Sequence, residues 1–224
     1  MGYYIDLSTV SIDDYRKKLE SAYLPPGRMI LKEKLAERFG CLKREGFSNL
    51  LELLLALKKK ERFTLLANND CLPEAYLVIL LREIKSINPR PNRLDEFPGI
   101  SGKTLAGLKK AGIKDTRILY DFVRTPQSRR GLSETTGIPE PEVLELTRLT
   151  DLSRIKWAGV TFVSMLLGSG YDTLEKVISA DSEVLHRQIN LINREKSLYK
   201  GQIGLNDIKI FIQAAGDVPR DIEY

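Results

Sequence analysis

An internal repeat is the feature that most limits what this chain can fold into. Residues 42–47 read Leu-Lys-Arg-Glu-Gly-Phe, and residues 108–113, which lie 66 positions later (108 − 42), read Leu-Lys-Lys-Ala-Gly-Ile. A third copy begins 58 positions further on (166 − 108), where residues 166–171 keep the leucine, the glycine and a large apolar residue after it. A repeat of roughly 60 residues predicts stacked supersecondary units that share a core.

The spacing of apolar residues predicts that these units are helical. Leu31, Leu35 and Phe39 recur every four residues, which places them on one face of a helix. Gly137 and Gly170 each precede an apolar residue, as glycines at helix ends do. No convincing pair of strands with a hairpin turn is present, so the sequence predicts an all-α fold. The leucines expected in contacts between repeats are Leu53, Leu77, Leu80, Leu105, Leu108 and Leu166.

A proline-rich segment interrupts the helical pattern at residues 88–93, which read Asn-Pro-Arg-Pro-Asn-Arg. Two prolines in six residues fix extended backbone and remove two hydrogen-bond donors. We therefore expect an exposed linker here. It would separate an N-terminal helical lobe with a degenerate repeat, residues 1–87, from a C-terminal lobe with two repeats, residues 94–224.

Composition excludes several classes of protein. Hydrophobic residues make up 42% of the chain and charged residues 29%, as in ordinary globular proteins. No apolar run reaches the roughly 18 residues of a membrane helix, and residues 1–20 lack the apolar core of a secretory signal. We expect a cytoplasmic protein with no membrane partner.

Cys41 and Cys71 are then expected to be small buried side chains in a reducing compartment, and not a disulfide or a metal pair.

A turn at Pro98–Gly99 leads directly into a short amphipathic helix that carries Lys103, Lys109 and Lys110. The start of a helix presents backbone N–H groups without partners, which form a natural seat for a phosphate oxygen. A phosphate seat beside lysines points toward nucleic acid. The same spacing offers Ser101 as the residue that caps the helix.

Basic residues are concentrated around this turn. Between positions 103 and 130 the chain has eight basic side chains and only two acidic ones, a local excess of six positive charges. This cluster is compatible with a nucleic-acid surface, and equally with an ordinary solvated helical face. Its members are Lys103, Lys109, Lys110, Lys114, Arg117, Arg124, Arg129 and Arg130.

Residues 97–101 and 155–159 each retain part of the pattern apolar-x-Gly-apolar-Gly before a helix. This arrangement resembles the helix-hairpin-helix of many DNA repair and recombination proteins. The order of the parts over residues 94–195 resembles, more specifically, the bacterial family catalogued as domain of unknown function 4332, which carries paired helix-hairpin-helix units. The resemblance covers about half the chain well and the N-terminal lobe loosely. It implies tandem helix-hairpin-helix repeats and supplies no established activity.

The two hairpins depart from the family pattern in complementary ways. The first keeps Gly99 but has Ser101 at the second glycine position, and the second keeps Gly159 but has Trp157 at the first. A tryptophan is hard to fit against a phosphate, so we expect Trp157 to be a packing or protein-contact residue. Arg154 and Lys156 could still reach a phosphate. The candidate nucleic-acid-binding residues are Gly99, Ser101, Gly102, Lys103, Lys109, Lys110, Lys156 and Gly159.

Known catalytic patterns are missing from the sequence. Gly102-Lys103-Thr104 looks like the end of a phosphate-binding P-loop, but Phe97 stands where that motif needs a glycine. His186 is the only histidine and has no metal-ligand partners at useful spacing. No pair of carboxylates marks an acid–base site. The sequence thus predicts no catalytic residues, no metal and no cofactor.

Two functional hypotheses remain open from the sequence. The basic cluster favours a non-enzymatic protein that binds DNA, with RNA as the second choice, through backbone and phosphate contacts and without sequence specificity. The degraded glycine pattern favours a protein-interaction scaffold that keeps the fold and has lost the nucleic-acid contact.

Overall fold

The computed structural model describes residues 2–224, and over this range the chain forms thirteen α-helices and no β-strand. Extended backbone pairs only at two isolated bridges in this part of the chain, Ser11 with Asn49 and Arg93 with Asp115. The prediction of an all-α fold is confirmed.

After a first helix, α1 (Ile12–Ser21), the helices follow in three successive groups of four. The first group is α2 (Leu35–Arg44), α3 (Leu50–Lys58), α4 (Lys60–Ala67) and α5 (Glu74–Ile87). The second is α6 (Gly102–Lys110), α7 (Thr116–Val123), α8 (Pro126–Thr136) and α9 (Glu140–Leu152). The third is α10 (Val160–Gly168), α11 (Leu174–Ile178), α12 (Ser182–Lys196) and α13 (Leu205–Ala215). Short 3₁₀ helices occupy Pro26–Lys32 and Leu94–Glu96.

The turn between the first two helices is the same in all three groups. It contains Gly46, Gly112 or Gly170, with φ values of 90°, 76° and 82°, a conformation that glycine adopts without steric cost. The next residue donates its N–H to the carbonyl five positions back, at 3.2, 2.9 and 3.0 Å. This is the closure of a Schellman motif. The repeated sequence therefore encodes a repeated turn.

A side chain caps the helix that follows each of these turns. Asn49, Asp115 and Thr173 each accept a hydrogen bond from the backbone N–H three residues later, at 3.0, 2.9 and 3.3 Å. Such a cap satisfies one of the N–H groups that a helix start leaves without a partner. Each group thus begins with a helix, a left-handed glycine turn and a capped second helix.

The described chain divides into two compact units, one formed by residues 5–88 and the other by residues 2–4 together with 89–224. The first holds α1 and one group of helices, and the second holds two groups. Each has its own apolar core. Five of the six leucines predicted to be buried are buried, namely Leu53, Leu77, Leu80, Leu108 and Leu166. Leu105 is half-buried against the core of the second unit.

The proline-rich segment is not the exposed linker that we expected. Four of its six residues are half-buried, and only its two arginines are exposed. Asn88 exchanges two hydrogen bonds with the backbone of Ile5, both of 2.9 Å. The Asn92 side chain donates to the Ser153 hydroxyl at 3.1 Å and to the carbonyl oxygen of Ala158 at 2.8 Å. The asparagine side chains hold this segment against the fold, which the prolines alone do not show.

The two cysteines also differ from their prediction. The structure joins Cys41 of α2 to Cys71, just before α5, in a disulfide with Cα atoms 6.7 Å apart. The expectation of two separate side chains was wrong because the packing of residues 5–88 brings together positions 30 residues apart in sequence. Since disulfides are rare in the cytosol, the cysteines no longer support a reducing compartment. The cytoplasmic location stays a prediction.

A helix that crosses a lipid bilayer must be about 20 residues long and predominantly apolar. Within residues 2–224 no helix combines the length and the apolar character that crossing a membrane requires.

Candidate nucleic-acid interface

The start of α6 is built by Ser101, which stands immediately before the helix. Its hydroxyl accepts a hydrogen bond of 3.1 Å from the N–H of Thr104. The N–H groups of Gly102 and Lys103 form no hydrogen bond within the described residues, and both residues are exposed. The first turn of α6 therefore offers two backbone donors to solvent.

Gly99 and Gly102 lie on this exposed surface, but their backbones are not left-handed. Neither position therefore depends on glycine for its backbone conformation. A Cβ atom built on either glycine meets no atom within 4 Å. The fold itself does not require glycine here, so what glycine offers is space for close approach from outside.

Four lysines give the exposed side of α6 its charge. Lys103, Lys109 and Lys110 on the helix, and Lys114 just beyond it, are exposed and form no ion pair in the part of the chain that the structure describes. Lys103 and Lys110 are seven residues apart, so they lie on nearly the same side of the helix about 10 Å apart along its axis. We call these four residues the α6 lysine face.

The arginines of the basic cluster do not extend this face. Arg117 pairs with an aspartate one turn later at 2.7 Å, and Arg130 lies 3.9 Å from a glutamate of α9. Arg129 is buried and donates to two backbone carbonyls, at 3.1 and 2.6 Å. Arg124 is half-buried over the Tyr120 ring. A cluster of eight in sequence thus leaves four unpaired exposed charges.

An acidic residue that sequence reasoning missed lies beside the start of α6. Glu142 of α9 accepts a hydrogen bond from the hydroxyl of Thr104. Its negative charge opposes an anion on that side of the helix start. Glu142 also lines a cleft of about 520 Å³ that is bordered by Pro98, Gly99 and Glu145. No local sequence signal could have placed it there, because it lies 38 positions from Thr104.

The second hairpin does not provide the predicted arginine contact. Arg154 is 2% exposed, and its guanidinium bonds to Asp151 at 2.7 Å, to Asp221 at 2.9 Å and to the carbonyl of Pro219 at 2.9 Å. A guanidinium satisfied in this way inside the protein cannot reach a phosphate. The suggestion that Arg154 binds phosphate was wrong.

Trp157 is not a core packing residue, contrary to one of its two expected roles. The residue is 40% exposed, and its backbone has a φ of 68°. Lys156, which is half-buried, places its Nζ 4.3 Å from the centroid of the tryptophan ring. Gly159 is exposed directly before α10 and provides no side-chain cap.

The candidate residues border two different clefts. Gly99 borders the 520 Å³ cleft, whereas Trp157 and Gly159 line another, of about 470 Å³, with an apolar floor. Tyr199, 53% exposed, lines this second cleft and was not predicted. The only sequence signal for it is an aromatic residue followed by lysine and glycine in a connecting loop.

A metal site requires several His, Cys, Asp or Glu side chains close together. Residues 2–224 contain no group of three or more of them in a suitable arrangement. The Nε2 atom of His186 lies 2.9 Å from the carbonyl oxygen of Ile203, so this ring nitrogen has a partner in the fold.

The family model described as Domain of unknown function (DUF4332) matches residues 98–218. The chain belongs to the DUF4332 family. The matched region takes in the start of α6 and all helices to α13, so the DUF4332 region corresponds to the last two groups of four helices. Residues 5–88 lie outside it. No curated protein and no solved structure matches the chain.

Proposed function

We propose that this DUF4332 protein is a non-enzymatic, cytoplasmic protein that binds DNA without sequence preference through the start of α6. The observation that carries the proposal is the combination of two exposed backbone donors, at Gly102 and Lys103, with the α6 lysine face. The proposal treats the α6 and α10 hairpins as helix-hairpin-helix units. RNA is the second choice of ligand, and no cofactor is involved.

The physical basis is attraction to the phosphate backbone. The aligned peptide dipoles of a helix give its N-terminus a partial positive charge, which favours anions at the unbonded N–H groups. Lysines beside that point add charge but do not read base edges. Binding of this kind releases counterions, so it is sensitive to salt and indifferent to sequence. The negative charge of Glu142 disfavours a phosphate on its own side of the helix start, so the phosphate should approach from the other side.

Changing Lys103 and Lys110 together to glutamate should abolish binding. Fluorescence anisotropy with a labelled duplex of arbitrary sequence, repeated over a series of salt concentrations, measures it. For the wild type, the slope of log K against log salt should be about −0.9 for each phosphate neutralised. The double variant should remain folded, because exposed charges contribute only about 0–1 kcal/mol to stability.

A matched control is available in the other unit. Lys58 and Lys59 are exposed and lie where α3 meets α4, and their double change to glutamate alters net charge by the same amount. This control should bind DNA much like the wild type. An equal loss in both variants would show that net charge, and not α6, governs binding. No binding of the wild type to duplex, single-stranded or branched DNA at low salt would refute the proposal.

A scaffold function is the second candidate, and a different surface supports it. In the unit formed by residues 5–88, Leu51, Leu55 and Leu65 of α3 and α4 are 38%, 51% and 60% exposed. Leu51 and Leu55 are four residues apart and lie on one helix face. Exposed leucines on neighbouring helices are typical of a surface that contacts another protein.

The scaffold hypothesis can be tested separately from DNA binding. Sedimentation velocity of nuclease-treated protein should show association that depends on concentration, if the partner is a second copy of the chain. Changing Leu55 and Leu65 to lysine should abolish the association and leave duplex binding intact. A wild-type chain that stays monomeric at every concentration would exclude self-association through these leucines.

A further inference from the structure

Trp157 occupies the repeat position that Gly99 holds 58 residues earlier (157 − 99), although the backbone of Gly99 is not left-handed. Its φ of 68° lies in the left-handed region, where a bulky side chain is a genuine outlier and a glycine is unstrained. Two backbone hydrogen bonds fix this conformation. The N–H of Ala158 donates to the carbonyl oxygen of Ile155 at 3.0 Å, and the N–H of Gly159 donates to the carbonyl oxygen of Trp157 at 2.9 Å. The chain thus carries a large ring where the fold favours glycine.

The strained residue does not serve the core, because 40% of its surface is exposed. Residues held in rare conformations persist where the surrounding structure enforces them, and they cluster at binding sites. An outlier that presents an aromatic ring to solvent therefore suggests a ligand for the ring.

The surroundings of the ring indicate which ligand it suits. Trp157 and Tyr199 lie at the same cleft, whose floor includes Phe162 and Phe211 with ring centroids 4.5 Å apart. The ammonium group of Lys156 lies over one face of the tryptophan ring, 4.3 Å from its centroid. Aromatic faces beside a positive charge are the combination by which proteins bind the bases and phosphates of single-stranded nucleic acid.

Asp207 also lines the cleft, and its carboxylate is engaged within the fold. It accepts a hydrogen bond of 2.9 Å from the N–H of Gly204 at the start of α13. A purely apolar peptide would use the aromatic surface but would gain nothing from Lys156. A base attached to a phosphate uses both.

We propose that Trp157 is a stacking residue for an unpaired nucleobase, with Lys156 binding the adjacent phosphate. The protein then prefers DNA with unpaired bases over intact duplex. This inference rests on the DNA binding proposed above and names the form of DNA that is bound. Every base has a π-face, so the preference is for unpaired structure and not for sequence.

Trp157 is the only tryptophan in the chain, so its fluorescence reports directly on the site. Two probes of equal length, about 20 nucleotides, separate the contributions: oligodeoxythymidine, and the same sugar–phosphate chain made of abasic residues. The thymidine oligomer should quench the fluorescence and bind tighter by about 5- to 150-fold, the range that stacking of one base provides. The abasic oligomer should bind through its phosphates with little quenching.

Variants of the ring separate stacking from structure. Trp157→Gly should lose the preference for oligodeoxythymidine, measured by anisotropy, while its Tm stays equal or rises because glycine tolerates the left-handed turn. Trp157→Phe should keep part of the preference for oligodeoxythymidine over the abasic oligomer. If the glycine variant does not fold, this variant tests whether the ring stacks on a base. Phe122→Ala is the matched control, since Phe122 of α7 is 41% exposed and lies outside the cleft.

The outcomes distinguish this inference from the proposed DNA binding. Equal affinity for the two oligomers, with no quenching, overturns base stacking and leaves phosphate binding at α6 intact. No binding of either oligomer, with duplex binding retained, also overturns base stacking alone, whereas no binding of the oligomers, of duplex or of branched DNA overturns both. A fluorescence shift that depends on protein concentration and ignores DNA would assign the cleft to a protein contact and also overturn the inference.

Discussion

Arg154, Asp151 and Asp221 form a buried ion cluster in the unit that contains residues 89–224. The Tyr224 hydroxyl donates to Asp151 at 3.0 Å, and the Tyr120 hydroxyl donates to Asp221. Burying charges carries a desolvation penalty that only well-formed pairs offset, and removing one partner of such a pair is strongly destabilising. The cluster fixes the last residues of the chain to α9, so its protonation bears on stability.

The free energy of unfolding should fall between pH 4 and pH 6 because of Asp151. Burial raises the pKa of this carboxyl from 3.8 to about 6, against the opposing effect of Arg154. In that window the native carboxyl keeps a proton that the unfolded chain has released. The stability gained is fully present below about pH 4 and is lost as the pH rises to 6, a change on the order of 3 kcal/mol.

The Asp151→Asn variant isolates this contribution. It cannot titrate, so its stability relative to the wild type should improve as the pH rises from 4 to 6. Urea unfolding of both proteins at several pH values gives the comparison. Parallel stability curves for the two proteins would show that burial does not raise the pKa of Asp151 in this way.

Among the helical elements, the glycine turn that closes the first helix of each group is the repeated device. Gly112 follows α6 with a φ of 76°, whereas Gly131 lies inside α8, is exposed, and would place a Cβ atom in open space. The same substitution should therefore have opposite effects. Gly112→Ala should destabilise by about 1–2 kcal/mol through left-handed strain. Gly131→Ala should stabilise by about 0.5–1 kcal/mol because alanine suits a helix interior.

Chemical denaturation of the two alanine variants measures the difference. Each variant serves as the control for the other, since both replace an exposed glycine by alanine in the same group of helices. A loss of stability at both positions would mean that α8 does not continue regularly through Gly131. No loss at position 112 would contradict the left-handed turn.

At the level of the whole molecule, the loop between α12 and α13 is an irregular segment that offers trypsin an exposed lysine. Lys200 is exposed there, next to the exposed Tyr199. In the 88–93 segment, Arg93 is also exposed. The N–H of the next residue, Leu94, however donates a hydrogen bond of 3.1 Å to the carbonyl oxygen of Lys114. Since cleavage requires local opening, trypsin should cut at Lys200 before Arg93.

Mass spectrometry of the first fragments identifies the cut. Asn193 holds the loop by accepting the Tyr199 N–H at 2.7 Å and donating to the Tyr199 carbonyl at 3.0 Å. Asn193→Ala should therefore speed cleavage at Lys200 and leave the rate at Arg93 unchanged. If trypsin cuts the wild type at Arg93 first, residues 88–93 are the exposed linker that the prolines predicted, and this prediction is wrong.

The sequence by itself determined the helical class, the repeated turns and most of the leucine core. These features depend on residues close together in the chain: a glycine three residues before a cap, or leucines at helical spacing. The start of α6 belongs to this class, because Ser101 caps a helix that begins beside it.

Only the tertiary structure decided which charged and polar side chains stay available. Arg154 is buried by Asp221, 67 positions away, and Glu142 reaches Thr104 across 38 positions. Asn92 bonds to Ser153 across 61 positions, and the cysteines meet across 30. The sequence shows where charged residues stand along the chain. Whether their charges are solvated or paired depends on which distant segments pack against them. Packing therefore reduced eight predicted cations to four lysines and left a strained tryptophan exposed.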